Sequence, residues 1–147
     1  MNLFVRGQPR PAGPTLELEL QAYNRRVLQH QDEVFGLAAD LLGDEAAAAE
    51  VVQAVFVAAF SRIGMSEPEF RWEILRRVIQ ACRERSEGTR LPGLAGLSRE
   101  EKVLLVLVDR LELSYPEAAE VLRKPLAYIR STLGMARITM SKSKDID

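Results

Sequence analysis

The C-terminal part of the chain carries a run of basic side chains that is suited to binding phosphate groups. Between positions 123 and 144 there is no acidic residue, and the basic residues are Arg123, Lys124, Arg130, Arg137, Lys142 and Lys144. A helix with such a face can neutralise the phosphates of a nucleic acid while its N-terminal end enters a major groove. The same spacing also suits a solvated basic helix on a small bundle, so spacing alone leaves both interpretations open.

Residue types needed for catalysis or metal binding are scarce. The chain has one histidine, His30, and one cysteine, Cys82. This excludes an intramolecular disulfide and leaves too few ligands for the usual zinc sites. Cys82 falls on an apolar helical stripe, which favours burial over reactivity. With no glycine-rich phosphate loop and no nucleophile beside a base, we expect no enzymatic activity, no cofactor and no bound metal.

The composition is that of a globular protein rather than one that coats nucleic acid by bulk charge. Of the 147 residues, 47% are hydrophobic and 28% are charged, which is enough to build a core. The formal net charge is −1, so any positive surface must be local. The N-terminal sequence lacks a signal-peptide pattern, and the most apolar window, 46–60, is too short to span a bilayer. We expect a cytoplasmic protein that does not enter the membrane.

Hydrophobic periodicity predicts helices along the chain and no strand. Residues 1–15 hold three of the seven prolines and are expected to form a flexible arm. Apolar residues then recur at helical spacing, interrupted at Gly43 and Gly64, which predicts a bundle of about three helices over residues 16–86. Gly43 followed by Asp44 has the pattern of a helix stop and then an N-cap. Residues 87–96 are rich in glycine and predict a linker. The expected fold is therefore all-α, with this bundle as the first of two small helical domains.

The second domain is predicted over residues 97–140, followed by a polar tail at 141–147. Ser98 and Glu101 have capping-box spacing and predict a helix that runs through Leu111. Ser114-Tyr115-Pro116-Glu117 then starts a short helix that ends at Leu122. After a break at residues 123–125, a last helix runs from Leu126 to about Met140.

Two short helices joined by a tight turn, the second one basic, have the layout of a helix-turn-helix. Small and aliphatic residues are placed where the two helices would meet. The expected contacts are Ala118, Ala119 and Leu122 on the first helix with Leu126, Ile129 and Leu133 on the second.

Two stretches, Leu41 to Ile63 and Leu97 to Arg137, carry ordered motifs. The first has an acidic residue, two aliphatic residues, Gln and then Val-Phe, at Glu50, Val51, Val52, Gln53, Val55 and Phe56. The second has Leu-Ser-Tyr-x-Glu and later Pro-Leu-x-x-Ile-Arg-Ser-x-Leu. In this order they resemble the second and fourth regions of bacterial sigma-70 family sigma factors, in the extracytoplasmic-function (ECF) group. The resemblance covers nearly all of the chain outside the arm and tail.

The resemblance implies a protein that binds core RNA polymerase and directs it to promoter DNA. In the family, the second region docks on a coiled coil of the largest polymerase subunit, and the matching positions here are Glu50, Gln53 and Phe56. The fourth region reads the minus-thirty-five element through its helix-turn-helix. The residues expected at promoter DNA are Arg123, Lys124, Tyr128, Arg130, Ser131 and Arg137. Many family members are also held by an anti-sigma factor, which is a further candidate partner.

The distribution of charge fits these expectations in part. Residues 31–49 carry acidic side chains without Lys or Arg and could face a basic polymerase surface. The third helix has more arginine than glutamate, so Arg76 and Arg77 are expected along the backbone of a melted strand. Phe70 or Trp72 could stack on its bases, although Trp72 would suit the core equally well.

Several positions depart from the family pattern on the surfaces expected to contact DNA. Donors or charges common in the family are replaced at Ala58, Phe60, Ala127-Tyr128, Thr132 and Gly134-Met135. Each lost phosphate contact lowers affinity for nucleic acid and flattens its salt dependence. This keeps an alternative open: a sigma-like interaction module that binds polymerase or a regulator without reading a promoter.

Overall fold

The structure, a computed structural model, describes residues 14–62, 64–85 and 96–146. Residues 1–13 of the expected arm and residues 87–95 of the expected linker lie outside this part of the chain. Within it all regular structure is helical, which confirms the all-α prediction. The elements are α1 (Pro14–Leu42), α2 (Glu45–Ala58), a 3₁₀ turn (Ala59–Arg62), α3 (Glu67–Arg85), α4 (Arg99–Leu105), a π turn (Val106–Arg110), α5 (Tyr115–Leu122) and α6 (Leu126–Ile146). None of the described helices is both long and apolar enough to cross a membrane.

The boundary between α1 and α2 lies where the sequence predicts a stop and a cap. Gly43 adopts a φ of 69°, in the left-handed region that favours glycine. The Asp44 carboxylate then accepts hydrogen bonds from the backbone N–H groups of Ala46 and Ala47, at 2.9 and 3.3 Å. These bonds satisfy two of the N–H groups that a helix start leaves without partners.

Tyr23 lies at the centre of the core that α1, α2 and α3 share. Its side chain is fully buried, and its hydroxyl donates a hydrogen bond to the carbonyl oxygen of Phe56. Its ring meets those of Phe60 and Phe70 edge to face, with centroids 5.1 and 5.8 Å apart. Burial raises the pKa of the Tyr23 hydroxyl well above its usual value, so the group stays a donor.

Complete capping boxes begin α4 and α5, which confirms both predicted helix starts. The Ser98 hydroxyl accepts from the N–H of Glu101, and the Glu101 carboxylate accepts from the N–H of Ser98, at 3.2 and 2.8 Å. Ser114 and Glu117 repeat the arrangement at 3.2 and 3.0 Å. The hydrogen bonds from Ser114 hold the pKa of Glu117 below its usual value.

Helices α5 and α6 form the predicted bihelical turn. Arg123 adopts a left-handed φ of 54°, and the N–H of Lys124 donates to the carbonyl oxygen of Ala119 at 3.1 Å. A hydrophobic cluster joins the two helices through Ala118, Ile129 and Leu133, with Ala119 and Leu122 packed against it.

Helix α6 is longer than the sequence predicts. It continues through Ile146, whereas a polar tail was expected from residue 141. Residues 135–147 contain neither glycine nor proline, so no residue in this stretch interrupts the backbone hydrogen bonds of the helix.

Helix α4 and the start of the π turn are buried on two sides. Five consecutive residues, from Val103 to Leu107, are buried. Val103, Val106 and Leu107 belong to the cluster of α1, α2 and α3, whereas Leu104 and Leu105 belong to the cluster of α5 and α6. The two groups of helices therefore share α4 as a common apolar wall.

The π turn follows directly on this wall. The N–H of Leu111 donates to the carbonyl oxygen of Val106 at 3.0 Å, five residues earlier, and Glu112 then adopts a φ of 59°. The helix expected to run through Leu111 is thus α-helical only to Leu105. A π turn accommodates one more residue than an α-helical turn, and hydrophobic periodicity gives no signal for it.

Replacing Leu104 by alanine should destabilise both groups of helices together. The cavity left in the shared wall should lower the free energy of unfolding by about 2–5 kcal/mol. Urea unfolding followed by Trp72 fluorescence, which reports on α3, should coincide with unfolding followed by circular dichroism. A Leu28→Ala control on the exposed side of α1 should change stability by less than about 0.5 kcal/mol. Two separate transitions in the Leu104→Ala variant would contradict a shared wall.

Candidate nucleic-acid interface

The outer face of α6 is open to solvent. Ile129, Leu133 and Ala136 point into the cluster with α4 and α5 and are buried. Arg130 and Ser131 lie on the opposite side and are exposed. The side of α6 that the sequence predicts to enter a DNA groove is therefore accessible in the folded chain.

Basic side chains surround the N-terminal end of α6. Arg123 and Lys124 are exposed in the turn before it, and Arg130 follows in its second turn. The Lys124 ammonium lies 5.2 Å from the ring centroid of Tyr128. The Tyr128 side chain is half-buried against the hydrophobic cluster that α4, α5 and α6 share. Positive charge at a helix N-terminus, where backbone N–H groups also point outward, attracts phosphate.

Arg137 belongs to a different environment from the other basic residues of α6. Its guanidinium donates to Asp109 Oδ1 at 2.8 Å and to the Tyr115 hydroxyl at 3.3 Å. The hydrogen bonds to Tyr115 and Asp109 raise the pKa of Arg137. The structure thus ties Arg137 to the π turn and to the start of α5, and does not bring it to the cluster around Arg123.

Arg76 joins α3 to the C-terminal end of α5. Its guanidinium donates from Nε to the carbonyl oxygen of Val121 at 2.9 Å and from Nη2 to that of Glu120 at 2.7 Å. A third bond runs from Nη1 to Glu73 at 2.8 Å. Carbonyl groups in the last turn of a helix lack intrahelical partners, so Arg76 acts as a C-terminal cap supplied by another helix.

Arg77 shares a carboxylate with Arg76. It donates from Nε to Glu73 Oε2 at 2.7 Å. Burial by itself would raise the pKa of Glu73, but the hydrogen bond and charge of Arg77, together with those of Arg76, outweigh it and the pKa is lowered. A cavity of about 290 Å³ lies beside this group, lined by Arg76, Arg77, Ile79, Gln80, Arg83, Val121 and Leu122.

A third contact between the helices involves Arg71, which the sequence analysis did not single out as a site residue. Its guanidinium pairs with Glu33 on α1 and, at 3.3 Å, with Glu117 on α5. The hydrogen bond to Glu33 contributes most to raising the pKa of Arg71. The partners lie 38 and 46 residues away, a separation at which side-chain spacing along the sequence carries no information.

The expected polymerase-facing residues do not share one environment. Glu50 and Gln53 are exposed on α2, where Glu50 pairs with Arg85 at 3.0 Å. Phe56 is fully buried, and its carbonyl oxygen accepts the hydrogen bond from Tyr23. Because helix positions 50 and 53 lie on one face and 56 points to the core, the structure brings only the first two together on the surface.

The acidic run at residues 31–49 has partners within the chain. Glu33 pairs with Arg71, and Asp40 pairs with Arg110 at 3.4 Å. Asp44 is the cap of α2. These side chains therefore stabilise the fold, and only the remaining acidic residues of the run are available to a partner.

Comparisons with protein-family models and with curated proteins find no match for this chain. Among the described residues, no group of three or more His, Cys, Asp or Glu side chains is arranged to hold a metal ion. The functional assignment therefore rests on the motifs and on the surfaces described above.

Arg76 and Arg77 offer a matched pair of substitutions on α3. Arg76→Ala should lower the free energy of unfolding by about 1.5–3 kcal/mol, because it removes charge-assisted bonds to two carbonyl groups of α5. Arg77→Ala removes a bond to the same Glu73 but none to α5, and should cost less than about 1 kcal/mol. Urea denaturation of both variants measures the difference. Equal losses would contradict the capping role of Arg76.

Proposed function

We propose that the chain is an ECF-like sigma factor that binds core RNA polymerase and directs it to promoters through the α5–α6 helix-turn-helix. The observation that carries this proposal is the exposed outer face of α6 beside the basic turn at residues 123–125. A helix-turn-helix needs this arrangement, with its second helix free to enter a major groove and its turn close to the backbone.

The contacts divide into two kinds. Arg123 and Lys124 lie in the turn, where they can contact phosphates and set the position of α6 on the duplex. Arg130 and Ser131 lie on the outer face of α6, where they can reach base edges. An arginine there can bind guanine through two hydrogen bonds, which gives sequence preference as well as affinity.

The exposed face of α2 supports the polymerase-binding part of the proposal. Glu50 and Gln53 share this face with Ala54, Val57 and Ala58, and the Val57 side chain is 44% exposed. Small apolar residues bordered by polar ones suit packing against a helical coiled coil. A groove of about 350 Å³ between α2 and α3 continues this surface.

A second function is favoured by a specific feature of α6. Met135 and Ile138 are 56% and 50% exposed on its outer side, where a DNA-reading helix would gain more from polar groups. Exposed apolar side chains on a helix suit a protein partner. This supports the alternative of a sigma-like module that binds polymerase or a regulator without reading DNA sequence.

Replacing Arg130 by alanine should weaken binding to a promoter fragment and relax base preference. The expected loss is roughly 1–3 kcal/mol, or about 5- to 140-fold in Kd, if the side chain makes two bonds to one base. Lys124→Ala should instead weaken binding to all sequences alike. It should also reduce the slope of log Kd against log salt concentration by about one, because one phosphate contact is lost. Fluorescence anisotropy across a salt series measures both effects. Arg25→Ala, on the exposed side of α1, is the control, and a wild-type affinity for Arg130→Ala would count against base recognition.

Removing the polar side chains of α2 should weaken the complex with core polymerase. The double variant Glu50→Ala, Gln53→Ala should raise the Kd roughly tenfold, or about 1.4 kcal/mol. Glu19→Ala, exposed on α1, provides a control that removes one negative charge elsewhere. The measurement is co-elution with core polymerase, followed by transcription from fragments of genomic DNA. Polymerase binding without any template preference would favour the second function over the first.

A further inference from the structure

The cavity between α3 and the C-terminal end of α5 lies outside the two surfaces of the proposed function. Its volume of about 290 Å³ is close to the lower limit of roughly 300 Å³ for pockets that hold small molecules. Ile79, Val121 and Leu122 form its apolar side, and three arginines and a glutamine of α3 form its polar side. A cavity with one side of each kind suits a small ligand that has a charged end and an apolar end.

The two sides of the cavity are held in place without a ligand. Val121 is fully buried in the core of α1, α2 and α3, and Leu122 packs against the same core. Arg76 adds hydrogen bonds to the carbonyl groups of Glu120 and Val121. Because the folded chain already forms the cavity, a ligand that enters it spends little free energy on rearranging the protein.

The charge around the cavity favours an anion. Its lining contains three arginines and no carboxylate. Glu73 pairs with both Arg76 and Arg77, so it offsets one of the three positive charges. The next carboxylate along α3, that of Glu84, accepts a hydrogen bond from Gln80 at 3.3 Å and lines the separate groove between α2 and α3. The excess of positive charge in a partly enclosed space attracts a small anion.

Arg77 has donors to spare for such an anion, whereas Arg76 does not. All three nitrogens of Arg76 donate hydrogen bonds within the chain. Arg77 is bound to Glu73 through Nε, and among the described residues its Nη1 and Nη2 atoms donate no hydrogen bond. A carboxylate that holds an arginine on one side fixes the direction of its remaining donors. Glu73 therefore acts as a positioning residue for Arg77.

Arg83 provides a second guanidinium for the same anion. It is half-buried, lines the same cavity, and follows Arg77 by six residues, or about 9 Å along the helix axis. The side chains of both arginines are long enough to reach a group that lies between them. An anion in this position would be contacted from two directions.

A phosphate monoester fits this pair of arginines better than a carboxylate does. Its phosphoryl group carries three terminal oxygens and a charge of about −1.5 to −2 at pH 7, which matches two guanidinium groups. A carboxylate has two oxygens and a single charge, which one arginine can satisfy. The ester oxygen of the monoester also leads to an organic group, for which the apolar side of the cavity provides a surface.

We propose that this cavity is a binding site for a small phosphate monoester. Arg77 and Arg83 bind the phosphoryl group, and Leu122 together with Ile79 and Val121 contacts the organic part. The ligand touches α3 and α5 at once, so its binding strengthens the contact between these two helices. The proposal does not depend on the sigma-factor assignment, since it uses neither the outer face of α6 nor the exposed face of α2.

The experiment uses n-butyl phosphate as the probe and isothermal titration calorimetry of the full chain at low ionic strength. We expect it to bind about tenfold more tightly than inorganic phosphate, because roughly two methylene groups leave water against the apolar side. Pentanoate has a similar chain with a carboxylate in place of the phosphoryl group, and we expect it to bind at least about tenfold more weakly than n-butyl phosphate.

Substitutions on each side of the cavity separate the two parts of the site. Arg77→Gln and Arg83→Gln should each weaken binding of n-butyl phosphate about tenfold or more, since each removes a charge-assisted contact. Arg25→Gln, at an exposed position of α1, removes the same charge and should leave the affinity unchanged within about twofold. Leu122→Ala should reduce the preference for n-butyl phosphate over inorganic phosphate and leave the affinity for inorganic phosphate unchanged.

Hydrogen exchange locates the bound ligand. Bound n-butyl phosphate should slow exchange of the amides at the end of α5 in the wild-type chain and not in Arg77→Gln. Three results would overturn the proposal: no saturable binding of n-butyl phosphate, equal affinities for the wild type and both α3 variants, or pentanoate bound as tightly as n-butyl phosphate. A chain that fails to bind DNA or polymerase would contradict the proposed function and leave these measurements as they are.

Discussion

The packing of this protein depends on α4, which is buried on both sides. Its Val103 packs into the core of α1, α2 and α3, and its Leu104 and Leu105 pack into the core of α5 and α6. An element shared in this way couples the stability of the two groups, because neither core is complete without it. The arrangement also places α5 against α3. Val121 of α5 and Leu113 are also buried in the first core, and polar contacts at Arg71, Arg76 and Arg110 add to them.

The two kinds of packing suit different tasks. Apolar surface buried around α4 holds the fold in water and has no competitor among charged ligands. The guanidinium groups between α3 and α5 are held by carboxylates and by helix carbonyl groups, which fix the direction in which α5 crosses α3. The exposed face of α6 takes part in neither kind of packing.

Local features were predictable from the sequence, and distant partners were not. The caps at Asp44, Ser98 and Ser114 and the turn at Arg123 depend on residues within a few positions, so their spacing carries the information. The excess of arginine on α3 suggested a nucleic-acid surface. The capping of α5 by Arg76, however, depends on a contact with Val121, which lies 45 residues further along the sequence. Phe56 matched a family motif at a position that the fold buries. The open face of α6 was predictable because its buried stripe has a clear helical period.

The π turn at Val106–Arg110 lies between residues of the two cores. Each residue of a helix turns its successor by about 100°, so removing a residue from a regular helical turn would rotate everything downstream by that angle. A π turn holds one residue more than an α-helical turn, so it can lose that residue by closing to α-helical geometry. The pairs of Asp109 with Arg137 and of Arg110 with Asp40 would then keep their alignment. This segment is therefore the place where the helical framework can absorb a change of one residue in chain length.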